Sequence, residues 1–150
     1  MARPIPAEPE LVYTSAMPFA RIDHLKLETR LIPGPAHRPW LVFLHEGLGS
    51  VSLWRDFPDK LAQRLSCPAL IYARQGYGQS TGLAGPRQPD FMHREALDVL
   101  PRLLAHYHIG KTVLIGHSDG ASIALIHAAS HPQTTAAMTL MAPHVFTEQI

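Results

Sequence analysis

The stretch TVLIGHSDGASIAL, residues 112–125, decides the fold of this 150-residue chain. Its first four residues predict a buried strand. Alanines and leucines at helical spacing follow, and they predict a helix that packs closely on a sheet. Between the two lies GHSDG, a Gly-x-Ser-x-Gly turn so tight that a side chain at Gly116 or Gly120 would clash with its neighbours. Ser118 is therefore the candidate nucleophile, held at the tip of a strand-to-helix turn.

Three other apolar runs are similar in character, at residues 40–44, 69–73 and 136–142. Such runs are typical of parallel strands that are covered on both faces. Helical spacing lies between them, in residues 54–65 and 97–104. Strands that alternate with helices predict βαβ units, and so an α/β fold with a mostly parallel sheet and helices on both faces.

Prolines and one alternating segment add detail to this outline. Pro101 lies inside the second helical pattern, where it removes a backbone hydrogen bond and predicts a kink. The third helix should end near His131, because Pro132 disfavours the helical conformation in the residue before it. Residues 25–31 alternate between apolar and polar side chains, which predicts an antiparallel strand near a sheet edge.

A second glycine-rich turn, HEGLGS at residues 45–50, follows the apolar run 40–44. A turn in that position can direct backbone N–H groups at a carbonyl oxygen under attack. We expect Gly47 to provide one such donor of an oxyanion hole and Asp119, the residue after the nucleophile, to provide the other. An ordinary strand-to-helix turn is the alternative interpretation of the segment.

Together, LVFLHEGLGS (residues 41–50) and VLIGHSDGASIAL (residues 113–125) resemble the α/β-hydrolase superfamily of esterases, lipases, peptidases and C–C hydrolases. A third segment, RQGYGQS at residues 74–80, is similar to the D-x-x-G-x-G-x-S turn of that family, with Ala73 where the Asp is usual. The turn before it also departs from the family, since Glu46 stands where many members have Gly; it most resembles the H-G-G-P-G variant.

The resemblance implies a serine hydrolase that acts on an ester or related acyl substrate through a covalent acyl-enzyme. In the family the nucleophile precedes the acid and the histidine along the chain, and these usually follow the seventh and eighth strands. Residues 25–143 fit the first six strands. We therefore expect residues 1–150 to be the N-terminal part of a single α/β-hydrolase domain, incomplete after the sixth strand, with residues 1–10 flexible and the acid and histidine beyond Ile150.

His144 is the best placed of the ten histidines. It follows the last predicted strand, on the rim where ligands bind in open α/β sheets, so we expect it to line the substrate pocket together with Leu48. A role as the base for Ser118, or of Glu148 as a displaced acid, is the less favoured interpretation. His45 should pack beneath the oxyanion turn. A second class of function stays open, a hydrolase-like binding or scaffold protein that keeps the pocket without turnover.

The composition excludes other classes of protein. Thirteen Lys and Arg residues stand against twelve Asp and Glu residues without basic runs, so nucleic acid is not an expected partner. Neither a signal-peptide pattern nor an apolar stretch of about 20 residues is present, so no membrane is expected. We expect a cytoplasmic protein whose partner is a small-molecule substrate, with self-association through an exposed sheet edge.

Metal and cofactor chemistry is not expected either. Cys67 is the only cysteine and should be a small buried hydrophobe, so there is neither an intrachain disulfide nor a cysteine-based metal cluster. No pair of His or carboxylate residues at helical spacing has a third partner nearby. The glycines at residues 76–78 lack a third glycine at the spacing of a dinucleotide fingerprint. We therefore expect no metal and no cofactor.

Overall fold

The computed structural model describes residues 11–12 and 19–144 of the chain, so the predicted flexible segment 1–10 and Glu148 lie outside the described residues. The strands are β1 (Leu11–Val12), β2 (Phe19–Ile22), β3 (Leu25–Ile32), β4 (Gly34–Pro35), β5 (Trp40–Leu44), β6 (Ala69–Tyr72), β7 (Thr112–His117) and β8 (Thr135–Met141). The helices are α1 (Phe57–Leu65), α2 (Phe91–Arg94), α3 (Leu100–His106) and α4 (Asp119–Ser130).

A six-stranded sheet in the order β2-β3-β6-β5-β7-β8 forms the centre of the fold, and β1 pairs with β4 in a separate two-stranded sheet. Strands β5 to β8 are parallel to one another, whereas β3 runs antiparallel to both of its neighbours. The predicted α/β class with a mostly parallel sheet is confirmed. The antiparallel strand predicted near a sheet edge is also confirmed, since β3 lies second from the edge of the sheet.

Helices cover both faces of this sheet, as predicted. On one face, Val42 and Leu44 of β5 belong to the same buried cluster as apolar residues of α3 and α4. On the other face, Leu41 and Phe43 belong to a cluster that includes Ala62 of α1. Successive side chains of β5 point to opposite faces of the sheet, and helices cover both faces, so β5 is apolar at every position.

The helix around Pro101 is irregular. A π-helical turn, Glu95–Val99, separates α2 from α3 immediately before the proline. Because Pro101 has no N–H to donate, a regular helical ladder cannot continue through it. The predicted end of the third helix is confirmed, since α4 ends at Ser130 and His131 caps it.

The structure corrects two expectations. The run at residues 136–142 was expected to be covered on both faces, but β8 is the edge strand, and its residues 136–139 are exposed. The apolar pattern at residues 54–65 includes Phe57 and Leu65, but these are 43% and 42% exposed, and the buried positions of α1 are Pro58 and Ala62. Short side chains at those positions bring the helix close to the sheet.

Strand register brings four loops together at one edge of the sheet. Leu44 pairs with both Tyr72 and Gly116, and His117 pairs with Met141. The carboxyl ends of β5, β6, β7 and β8 are therefore neighbours, and the segments that follow them share one rim. Ligands in open parallel sheets bind at such a rim.

Candidate active site

Ser118 occupies a strained turn between β7 and α4. Its backbone has φ 53° and ψ −117°, a conformation that costs a residue with a side chain on the order of 1–3 kcal/mol. The Ser118 N–H donates to the carbonyl of Met141 at 2.8 Å, and its own carbonyl accepts from Ala121 and Ser122. The strained residue is thus held from both sides, by the neighbouring strand and by the first turn of the helix.

Both glycines of the turn are required by backbone contacts. A Cβ atom on Gly120 would collide with the carbonyl oxygen of Leu44, and one on Gly116 would collide with the carbonyl oxygen of Gly120. Neither obstacle is a flexible side chain, so neither could move aside at small cost. The steric argument made from the sequence for Gly116 and Gly120 is confirmed.

The Ser118 hydroxyl forms a hydrogen bond with His144, its Oγ atom lying 2.8 Å from Nε2. The backbone of His144 is fixed in turn by Ser122 of α4. The buried Ser122 hydroxyl accepts from the His144 N–H at 2.8 Å and donates to the His144 carbonyl at 2.9 Å. One helix therefore positions both members of the Ser118–His144 pair.

The imidazole of His144 is only loosely enclosed. Its side chain is 57% exposed, and the nearest carboxylate oxygen, Asp119 Oδ1, is 3.9 Å from the same Nε2 atom that faces Ser118. Among residues 19–144 no carboxylate bonds to the opposite nitrogen, Nδ1. Within the described residues the pair therefore has the contact of a hydroxyl with a base, without a third group that would orient the base as in a complete triad.

The turn after β5 is packed against the turn after β7. A Cβ placed on Gly47 would stand 3.1 Å from Asp119 Oδ2. The Gly47 N–H makes no hydrogen bond to another described residue, and the Asp119 N–H is at the first position of α4, where a helix offers no acceptor. The N-terminus of α4 suits a developing negative charge, and the turn that contains Gly47 lies against it.

His45 lies beneath this turn, as predicted, and is almost completely buried. The Arg74 N–H donates to its Nε2 at 3.0 Å, so Nδ1 carries the proton and donates to the Glu46 carbonyl at 2.7 Å. Burial, reinforced by the nearby positive charge of Arg74, lowers the pKa of His45 to about 4. The imidazole is therefore neutral at physiological pH and serves as a rigid support.

The family model of the α/β-hydrolase fold matches residues 39–150. The chain belongs to the α/β-hydrolase fold family. It is 37% identical over 92 residues to the sn-1-specific diacylglycerol lipase ABHD11 of Danio rerio, a match that covers 61% of this chain and 27% of that protein. It is 36% identical over 104 residues to the 2-succinyl-6-hydroxy-2,4-cyclohexadiene-1-carboxylate synthase of Photorhabdus laumondii, covering 69% of this chain and 34% of the synthase.

Solved structures agree with this assignment. A structure from work on carboxylesterases of the ammonia-oxidizing thaumarchaeon Nitrososphaera gargenis superimposes with a TM-score of 0.75 at 27% identity, covering 88% of this chain and 47% of that one. The α/β-hydrolase chain thus spans about a third or less of the curated relatives named above and about half of the solved structure.

The structure brings most of the predicted site residues of this α/β-hydrolase chain together. Ser118, Asp119, Gly47 and His144 share the rim, whereas Leu48 points into solvent and is 87% exposed. Two residues of the site were not anticipated from the sequence. Ser122 could have been noticed as a polar residue on an otherwise alanine-rich helix face. Arg74 could have been noticed as a charged residue directly after a buried parallel strand, at its carboxyl end.

Three other features of the described residues would bear on function: a metal site, a membrane-spanning helix and a further buried histidine. In the part of the chain that the structure describes, no three His, Cys, Asp or Glu side chains are grouped so that they could hold a metal ion. No helix within residues 19–144 has the length and apolar character needed to cross a membrane. His127 of α4 is buried, and its Nδ1 lies 2.8 Å from the carbonyl of Ala96, away from the rim.

Proposed function

We propose that this chain carries the nucleophile and the oxyanion hole of a serine hydrolase that cleaves a carboxylic ester or related acyl compound through a covalent acyl-enzyme. The observation that carries the proposal is the position of Ser118. Its hydroxyl stands on a strained, glycine-flanked turn at the meeting point of four strand ends. Strain of this kind persists only where surrounding contacts enforce it, and it is concentrated at functional sites.

In the proposed reaction Ser118 Oγ attacks the substrate carbonyl carbon and its proton passes to an imidazole. The carbonyl oxygen becomes an oxyanion that accepts hydrogen bonds from the N–H groups of Gly47 and Asp119. When the tetrahedral intermediate collapses, the bond to the leaving alkoxide breaks and that oxygen takes up the proton. Water then attacks the acyl-enzyme in the same manner and restores the Ser118 hydroxyl.

His144 is assigned to the wall of the pocket, where it orients the Ser118 hydroxyl. The 2.8 Å contact falls within the range of about 2.6–3.2 Å that a general base needs. Its exposure and the absence of a described carboxylate on Nδ1 argue against the part of a triad histidine, which requires an orienting acid. The family order, with the histidine last, is the basis for placing that residue elsewhere in the protein.

An apolar groove supports the choice of an acyl substrate. It runs between α2 and α4, has a volume of about 370 Å³, and includes His144 and Ser122 in its wall with Pro89, Met92, Leu125 and Ile126. Apolar walls with a few convergent polar groups are typical of small-molecule sites. The names of the relatives, a diacylglycerol lipase and carboxylesterases, are in keeping with an ester. The proposed partner is a small molecule in the cytoplasm, with no role for nucleic acid or membrane.

A fluorophosphonate probe tests the proposal in the whole protein. We expect peptide mapping to find the label on Ser118 alone, because that serine has both a hydrogen-bonded hydroxyl and nearby N–H donors for the phosphonyl oxygen. Ser118→Ala should abolish labelling and ester hydrolysis. Ser130→Ala, at the exposed end of the same helix, is the matched control and should leave both unchanged.

Substitution of His144 distinguishes between two possible roles, an orienting contact for the Ser118 hydroxyl and the general base of the reaction. Loss of an orienting contact should lower turnover by less than about 100-fold, whereas removal of a true general base would cost about 10²–10⁴-fold or more. A decrease of 10⁴-fold in His144→Ala would overturn the pocket assignment and make His144 the base. Wild-type protein that folds but neither labels nor hydrolyses any aryl ester would favour the non-catalytic scaffold instead.

A further inference from the structure

Arg74 is a buried cation at the carboxyl end of β6. Its side chain is 1% exposed, and its guanidinium lies over the ring of Tyr77 at 5.1 Å. Two of its nitrogens, Nε and Nη1, have no hydrogen-bond partner among the described residues. Taking a charge out of water is costly, and apolar residues of similar volume often replace buried ion pairs without loss of stability. Stability alone is therefore a poor explanation of an arginine here.

The contacts of Arg74 converge on one nitrogen. Nη2 donates to the carbonyl oxygen of Glu46 at 3.1 Å and lies 3.5 Å from Asp119 Oδ2. The first contact belongs to the turn after β5 and the second to the first residue of α4. A single planar group thus links the two segments that contain the proposed oxyanion donors.

The carbonyl of Glu46 belongs to the same peptide unit as the N–H of Gly47. Since that unit is planar and trans, fixing the oxygen fixes the direction of the N–H on the opposite side. The oxygen also accepts from His45 Nδ1 at 2.7 Å and from the Gly49 N–H at 3.1 Å. Three donors on one carbonyl polarise the peptide, which strengthens the N–H as a donor.

We propose that Arg74 is a positioning residue that sets the relative placement of the Gly47 and Asp119 N–H groups and so shapes the oxyanion hole. This inference rests on the proposed function of the site. Arg74 makes no hydrogen bond to Ser118 and acts through its contacts with Glu46 and Asp119. Its fixed positive charge also favours the negative charge that develops on the substrate oxygen.

The test compares Arg74→Met, Arg74→Lys and Arg87→Met in the whole protein. Arg87 is the matched control because its guanidinium also lies over Tyr77, at 4.8 Å, but bonds the carbonyl of Gln75 instead of the oxyanion turn. We expect Arg74→Met to lower kcat by about 10- to 100-fold, as small misplacements in a site do, while KM changes less than about threefold. Arg74→Lys should recover part of the loss, because an ammonium group keeps the positive charge and can donate hydrogen bonds but lacks the rigid planar geometry of the guanidinium.

Binding of a boronic acid, which mimics the tetrahedral intermediate, gives a second measurement. Its affinity should fall in Arg74→Met by the same factor as kcat. Arg87→Met should keep kcat, KM and boronate affinity. Folded Arg74→Met with kcat and boronate affinity within twofold of wild type would overturn the inference while leaving the nucleophile intact. Turnover that survives Ser118→Ala would instead overturn the proposed function.

Discussion

His45 makes the stability of the fold depend on pH in a way that can be calculated. Its pKa is lowered from 6.5 to about 4, first by burial and then by Arg74. Between these values the unfolded chain binds a proton that the folded chain excludes, so the stability that is present at pH 7 is lost as the pH falls. This single group should cost about 2 kcal/mol at pH 5 and about 3 kcal/mol at pH 4, relative to pH 7.

His45→Gln isolates this contribution, because glutamine can accept the Arg74 N–H but does not titrate. Urea denaturation at pH 7, 5 and 4 would give the free energy of unfolding of wild type and variant at each pH. Between pH 7 and pH 5, the free energy of unfolding of the wild type should fall by about 2 kcal/mol more than that of His45→Gln. The pKa of His127 is also lowered by burial, but this residue is present in both proteins, so its contribution to the pH dependence cancels in the comparison.

His37→Gln, at an exposed position, is the control and should follow the wild-type pH dependence. Equal slopes for wild type and His45→Gln would refute the reasoning. That result would mean that His45 binds its proton equally well in the folded and unfolded chains, so that its burial next to Arg74 does not lower its pKa.

Two further changes have defined outcomes. Gly47→Val should lower kcat by up to about 10²–10³-fold, equivalent to about 2.7–4 kcal/mol, because its Cβ would press on Asp119 at 3.1 Å and displace the turn. Gly110→Val, in open space, is the control. An unchanged kcat in Gly47→Val would mean that the Leu48 N–H is the oxyanion donor instead. The 150-residue chain should self-associate in light scattering through the exposed edge of β8, and Met138→Lys should reduce this association. Leu83→Lys, at a similarly exposed position away from that edge, should not; equal association of both variants would exclude the edge as the contact.

Much of the fold could be predicted because its strands have an unambiguous pattern. Residues 40–44 are apolar without interruption, and they form β5 at the centre of the sheet. The edge strand β2 was missed because FARI at residues 19–22 is too short to show a period of two. Likewise, residues 136–139 look like a central strand, since composition reports that a segment is apolar and not whether anything covers it.

The site was predictable where backbone geometry defines it and not where distant side chains meet. A glycine on each side of Ser118 is a local requirement, so the pattern alone indicated it. The contact of Ser118 with His144 spans 26 positions and depends on the register of β7 with β8. Arg74 was not anticipated for a related reason, because its partners, Glu46 and Asp119, belong to two other loops.

The contact of Gly120 with the end of β5 has a consequence for how this protein could acquire new selectivity. The backbones of the two segments are in direct contact there, so the spacing between Ser118 and the turn after β5 is set by the sheet and does not depend on side chains elsewhere. A combinatorial library should therefore leave residues 44–49 and 116–121 unchanged. Diversity would be better introduced at Pro89, Met92 and Leu125, which line the groove and can change its shape without disturbing the geometry of attack.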